Sequence, residues 1–161
     1  MGGRKQMEIM NTEQLPEAFI WSDSIGLITK SLGAAAGSRK IYVNIDDVPP
    51  KAYSTKYHSH SQQEEFFMIL SGTGTLRLNG KEYTVKQGDF IAKPAEHEIA
   101  HTFYNSGNES LVILDVGTNE KEDTCYYPDE DTYLQKSNGQ RRTFRGTDLD
   151  STWTSEPNQI K

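Results

Sequence analysis

The dipeptide Asn79-Gly80 stands between Thr75-Leu76-Arg77-Leu78 and a return run from Lys81 to Val85. Both residues tolerate the positive φ of a two-residue type I′ turn, so this pair between strand-like segments is the strongest short hairpin signal in the chain. Short strands and turns follow one another on either side of it. Ile41-Tyr42-Val43-Asn44-Ile45 alternates, with Ile41, Val43 and Ile45 on one side and Tyr42 and Asn44 on the other, and Asp46-Asp47-Val48-Pro49-Pro50 is expected to end it. Ala52 to His60 reads as extended, and Glu64 to Leu70 is aromatic and apolar until Ser71-Gly72. Phe90-Ile91-Ala92 is closed by Pro94, His101 to Asn105 forms a further strand, and Leu111-Val112-Ile113-Leu114 is a buried run. This cadence predicts an all-β sandwich or barrel.

The 161 residues suit one domain with a single core. Residues 1–39 read as an N-terminal extension, with a short hydrophobic anchor at Leu15 to Trp21 and a turn of helix from Ser31 to Gly37 ended by glycine. Residues 40–117 carry the strands. From Thr118 the chain turns acidic and then polar, and residues 118–161 read as a C-terminal extension, partly disordered or laid over another surface.

A net charge of −6 and the absence of a basic run argue against a nucleic acid or an anionic membrane as partner, since both need a positive field. No apolar run approaches membrane-spanning length. Cys125 has no second cysteine to pair with, and no apolar stretch follows the basic start, so the expected location is the cytoplasm. A small molecule is the expected partner.

His58 and His60 sit two apart in a Ser-flanked run. In an extended strand, residues i and i+2 share a face with Cα atoms ~7 Å apart, and two imidazoles can then converge on one metal ion. Glu65 is seven residues beyond His58 and would lie ~23 Å away on a straight strand, so a carboxylate joins the pair only if the chain bends at Ser61 to Gln63. Adjacent residues face opposite ways, so one of Glu64 and Glu65 can look toward the histidines, and position alone does not choose. An isolated His-x-His pair is more often structural or solvated than ligating.

The other two histidines lie in Gly88 to Asn105. His97 and His101 share a face on a strand but are ~13 Å apart, so one of them is expected to join the site. His101 is preferred, because strand-forming Thr102-Phe103-Tyr104 follows it, whereas His97 sits between Glu96 and Glu98. Phe66 to Leu70 read as core, and Arg77 as a solvated strand charge.

His58-x-His60, Glu65 and Gly72 resemble the first motif of the cupin superfamily, and Gly88, Pro94 and His101-x-x-x-Asn105 resemble the second. The resemblance covers roughly residues 41–117 and implies an antiparallel jelly-roll β-barrel with an ion inside. It selects Glu65 over Glu64 and implies His58, His60, Glu65 and His101 as ligands of one divalent transition metal per chain. Ala52 and Glu96 stand where the motifs have glycine, and two extra residues separate Pro94 from His101. These departures lie in loops.

Three imidazoles and one carboxylate suit Mn, Fe, Co, Ni, Cu or Zn. The resemblance implies a homodimer and a metal-dependent enzyme acting on a small oxygen-rich metabolite, of isomerase, decarboxylase or oxygenase type. The alternative is a small-ligand-binding cupin without catalysis. No catalytic acid or base is identifiable from the residues.

Overall fold

The structure is a computed structural model that describes residues 7–95, 98–150 and 152. Its strands are β1 (Ala18–Ser22), β2 (Ile25–Ser31), β3 (Ile41–Val48), β4 (Ser59–His60), β5 (Glu65–Ser71), β6 (Thr73–Leu78) and β7 (Lys81–Lys86). They continue as β8 (Phe90–Lys93), β9 (His101–Tyr104), β10 (Leu111–Thr118), β11 (Asp123–Tyr127), β12 (Thr132–Ser137) and β13 (Gln140–Arg145). A single turn of helix, α1 (Leu32–Ala36), ends at Gly37 in the left-handed conformation, as the small-residue run predicted. Asn79 and Gly80 both adopt positive φ between β6 and β7, as a type I′ hairpin requires.

The strands form a six-stranded sheet in the order β1-β2-β3-β10-β5-β8, a three-stranded sheet β7-β6-β9 and a four-stranded sheet β13-β12-β11-β4. Leu27, Val48, Phe67, Ile69, Leu111 and Ile113 from the first pack against Leu76, Val85 and Phe103 from the second to make the core. Each such side chain contributes about 1.5–3 kcal/mol by leaving water. Strands β1 and β2 run through the segment read as the N-terminal extension, and β11 to β13 through the segment read as the C-terminal one.

Three expectations change. Strand β3 does not stop at Ile45 but runs on to Val48, which pairs with Leu111. Phe66 is not core: along β5, Glu65, Phe67 and Ile69 point inward, while Phe66 faces out and stacks on exposed Phe90 at 6.0 Å. Arg77 is not a free charge, because it holds Asp129 through two hydrogen bonds of 2.6 and 3.0 Å and lies 3.7 Å above the Tyr57 ring.

Two motif residues serve the backbone. Gly72 has φ +84°, and a Cβ there would stand 2.3 Å from the Ser110 carbonyl oxygen, so the β5–β6 turn admits only glycine. Asn105 is fully buried; its amide donates to the Val48 and Glu109 carbonyls at 2.7 Å each and accepts from Gly107 N at 3.0 Å. Asn105→Ala therefore strands two carbonyls and an N–H, each worth about 1–3 kcal/mol. We expect a loss of about 3 kcal/mol or more in urea unfolding, and a loss under 1 kcal/mol would contradict this role.

Candidate metal centre

Strand alternation places His58 and His60 on one face, and their Nε2 atoms come within 3.1 Å. His58 Nδ1 lies 2.7 Å from the Lys56 carbonyl oxygen, which can only accept, so Nδ1 carries the proton and Nε2 the lone pair. His60 Nδ1 donates to Asp123 Oδ2 at 2.6 Å. Both rings are thereby turned with Nε2 toward the same point.

The bend expected at Ser61 to Gln63 is present, and Asp123 holds it. Its Oδ1 accepts from Gln62 N at 2.9 Å, Ser61 Oγ at 3.2 Å and Gln63 N at 3.4 Å. After the bend Glu65 enters the interior, 4 % exposed, with Oε1 3.4 Å from His60 Nε2, while Glu64 is exposed. The ligand atoms of His58, His60 and Glu65 all lie within 4.8 Å of one another.

His101 flanks this cluster. Its backbone exchanges two hydrogen bonds with His58, and the two rings are 5.1 Å apart. Its Nδ1 is 3.8 Å from Glu65 Oε2 and 2.6 Å from Lys93 Nζ. Lys93, cross-strand from Glu65 and 4 % exposed, forms an ion pair with Glu65 Oε2 at 2.7 Å, off the direction of a hydrogen bond. His97 lies outside the described residues.

The electrostatics of this corner fit a cation. Burial alone would lower the basicity of His60, but hydrogen bonds to Asp123, Cys125 and Glu65 outweigh it and raise its pKa to about 11. Without metal, His60 is thus an imidazolium whose Nε2 proton faces the His58 lone pair and the Glu65 carboxylate. A proton sits where two imidazole nitrogens and a carboxylate oxygen converge, and the donor set is one a transition metal can take in its place. Burial pushes the Glu65 pKa up, but the His60 hydrogen bond and the charges around it hold the carboxyl well below the usual range.

Burial, helped by the His60 charge, lowers the His58 pKa from 6.5 to about 4. A depressed histidine contributes stability that is present above its unfolded pKa and lost as pH falls through the folded one. The chelator-treated protein should therefore lose about 3 kcal/mol between pH 6.5 and 4 from His58 alone, with His101 acting in the same direction. His60, being raised, works the other way: its contribution is complete below pH 6.5 and fades as pH climbs toward 11. Thermal melts of the metal-free protein should peak near pH 6.5, and a midpoint that rises between pH 6.5 and 4 would contradict the reading.

The same cavity, about 230 Å³, has a second polar wall made by Tyr42 and Asp46 of β3 and Asp115 of β10. Tyr42 Oη reaches Asp115 Oδ1 at 3.0 Å and Glu65 Oε1 at 3.4 Å, joining the two walls. Burial, with the Asp46 and Glu65 charges, pushes the Asp115 pKa up to about 8, so it carries a proton at neutral pH. Sequence reasoning missed this wall, together with Lys93 and Asp123. The alternation of Tyr42 and Asn44 marked a face, but nothing in a strand pattern says that a polar face is the inner one.

Comparison with known proteins bears on the same residues. The cupin domain profile matches residues 44–117. A candidate sugar phosphate isomerase from Acidithiobacillus ferrooxidans superposes with a TM-score of 0.83 at 30% identity, over 88% of this chain and 92% of that one. A sugar phosphate isomerase of the cupin superfamily from Silicibacter pomeroyi has the same fold, with a TM-score of 0.80 at 24% identity over 89% of this chain and 98% of that one. The oxalate-binding protein of Thermotoga maritima is 33% identical over 67 residues, 42% of this chain and 54% of that protein. The chain spans about half the length of the curated relatives it matches first. The antiparallel jelly roll, the two histidine motifs with Glu65 between them and these likenesses together make the chain a member of the cupin family.

Proposed function

We propose that the protein is a metal-dependent enzyme of isomerase type acting on a small oxygen-rich metabolite, with His58, His60, Glu65 and His101 holding one divalent transition metal ion per chain. The observation that carries this is the approach of two imidazole Nε2 atoms to 3.1 Å beside a buried carboxylate, inside a cavity sized for a small molecule. A bound ion there supplies Lewis-acid polarisation of a substrate oxygen. Asp115, with its pKa near 8, can hold and release a proton near neutral pH, as a transfer between neighbouring carbons requires. Phe67 and Phe103, both buried, keep water from the floor of the cavity. The likeness to the Acidithiobacillus protein supports isomerisation over decarboxylation or oxygenation.

The test is incubation of metal-loaded protein in D2O with a panel of phosphorylated aldoses and ketoses, followed by proton NMR. Isomerisation with deuterium incorporation beside the carbonyl supports the reading. No exchange with any of them, alongside tight binding of oxalate, would favour the second reading, a small-ligand-binding cupin, to which the Thermotoga relative points.

The proposal includes a homodimer working in the cytoplasm, where Cys125 stays a free thiol. Phe19, Ile20 and Trp21 on edge strand β1 are 66 %, 49 % and 54 % exposed, a costly arrangement unless a second copy covers them. Trp153, the other aromatic expected to need cover, lies outside the described residues. Light scattering should return twice the chain mass, and a monomer at micromolar concentration would remove this part. Among the described residues no helix is long and apolar enough to cross a membrane.

A further inference from the structure

Among the described residues five buried side-chain oxygens have no hydrogen-bond partner, and three of them, Asp46 Oδ1, Thr55 Oγ1 and Glu65 Oε2, belong to residues lining the metal-centre cavity. Such atoms cost about 1–3 kcal/mol each when left unpaired, so their convergence on one small space marks a place where a ligand supplies the missing bonds. Asp46 is the most telling. It is 8 % exposed, it lies on the wall away from the histidines, and no charged side chain of opposite sign is recorded against it.

We propose that Asp46 and Thr55 form a hydroxyl-binding subsite for the carbon chain of a neutral polyol or sugar, with Asp115 beside them. The assignment rests on the metal-centre reading, and it adds the substrate class. A carboxylate oxygen that lacks a partner accepts a hydroxyl hydrogen, whereas a second carboxylate brought against it would find like charge. Thr55 Oγ1 can donate to, or accept from, an adjacent hydroxyl. Tyr42, bridging Asp115 and Glu65, keeps the subsite in register with the ligand cluster. A polyhydroxylated chain satisfies both walls at once, while a short dicarboxylate would meet three carboxyl side chains, those of Asp46, Glu65 and Asp115, and a single buried lysine.

The experiment uses zinc-loaded full-length protein, xylitol as the polyol and malonate as the dicarboxylate, with saturation-transfer NMR reading binding and elemental analysis reading zinc in each sample. Wild type should bind xylitol more tightly than malonate. Asp46→Leu, which keeps the volume and removes the acceptors, should weaken xylitol at least tenfold with zinc content unchanged, and Asp46→Asn should recover part of the loss. Thr55→Val, nearly isosteric, should weaken it several-fold and covers the case in which Asp46→Leu fails to fold. Malonate binding more tightly than xylitol, or xylitol binding unmoved by Thr55→Val and Asp46→Asn, would overturn the subsite. Xylitol binding that depends on Asp46 in protein devoid of zinc would uphold the subsite and remove the metal reading, so the two failures are distinguishable.

Discussion

Purified protein should carry about one transition-metal ion per chain, and His60→Ala should carry almost none. His60 is the hinge of the centre: its Nε2 faces His58 at 3.1 Å and Glu65 at 3.4 Å, while its Nδ1 holds Asp123 at 2.6 Å. Removing the ring deletes one ligand and leaves Asp123 buried without its cationic partner. Glu65→Gln should act in the same direction, because it removes the only carboxylate of the cluster and strips Lys93 of its counter-charge. Since the ion binds the folded site preferentially, its removal should also lower stability, by about 2.7 kcal/mol if free metal stood at a hundred times the dissociation constant. Elemental analysis after expression in metal-supplemented medium is the measurement. A wild-type content near zero, or equal content in wild type and His60→Ala, would end the assignment. His97→Ala is the control and should keep its metal, whereas His101→Ala should not.

Asp123→Asn should weaken metal binding about 10–100-fold without touching a ligand. One oxygen of Asp123 sets the tautomer and angle of His60, and the other takes three donors from the Ser61–Gln63 bend that delivers Glu65. An asparagine can serve one of these sides with its carbonyl, but its amide then confronts donors on the other. Burial would raise the Asp123 pKa, yet the His60 hydrogen bond and the bend amides hold it well below the usual carboxylate range, so the interaction lost is one with an ionised group. Competition against a chromophoric chelator gives the affinity, and a value within threefold of wild type would show that the bend and the ring need no such anchor.

Much of the strand pattern could be read in advance, because turn chemistry is local. Asn79-Gly80, Ser71-Gly72 and the alternation along β5 concern neighbours in the chain, and each sits where expected. The His58-x-His60 pair was readable for the same reason, as two residues on one face of one strand. What could not be read is what the topology brings from far away. Asp123 stood within a run of acids that looked like a solvated boundary, yet it meets His60 across 63 positions of chain, and Asp129 from the same run meets Arg77 across 52. Lys93 looked like an ordinary loop-side cation before Pro94 until the β5–β8 register set it against Glu65. The segment from β12 to β13 looked like a loose tail because it lacks an apolar face, and its hairpin is held by backbone pairing with little burial.

The two-residue strand β4 pairs with β11, with Cys125 opposite His60 and Tyr126 opposite Ser59. The metal-facing histidines are therefore fastened on one side to β9, within the cupin profile's residues 44–117, and on the other to a strand outside it. Everything that orients and charges His60 from behind, Asp123 and Cys125 together, arrives on that outer strand. A change in β11 can thus retune which ion is held, and how firmly, while every residue of both histidine motifs stays the same. Relatives that keep the motifs but replace this strand would form a series in which metal preference drifts independently of the ligands, and the hairpin that follows the jelly roll is where such a drift would be written.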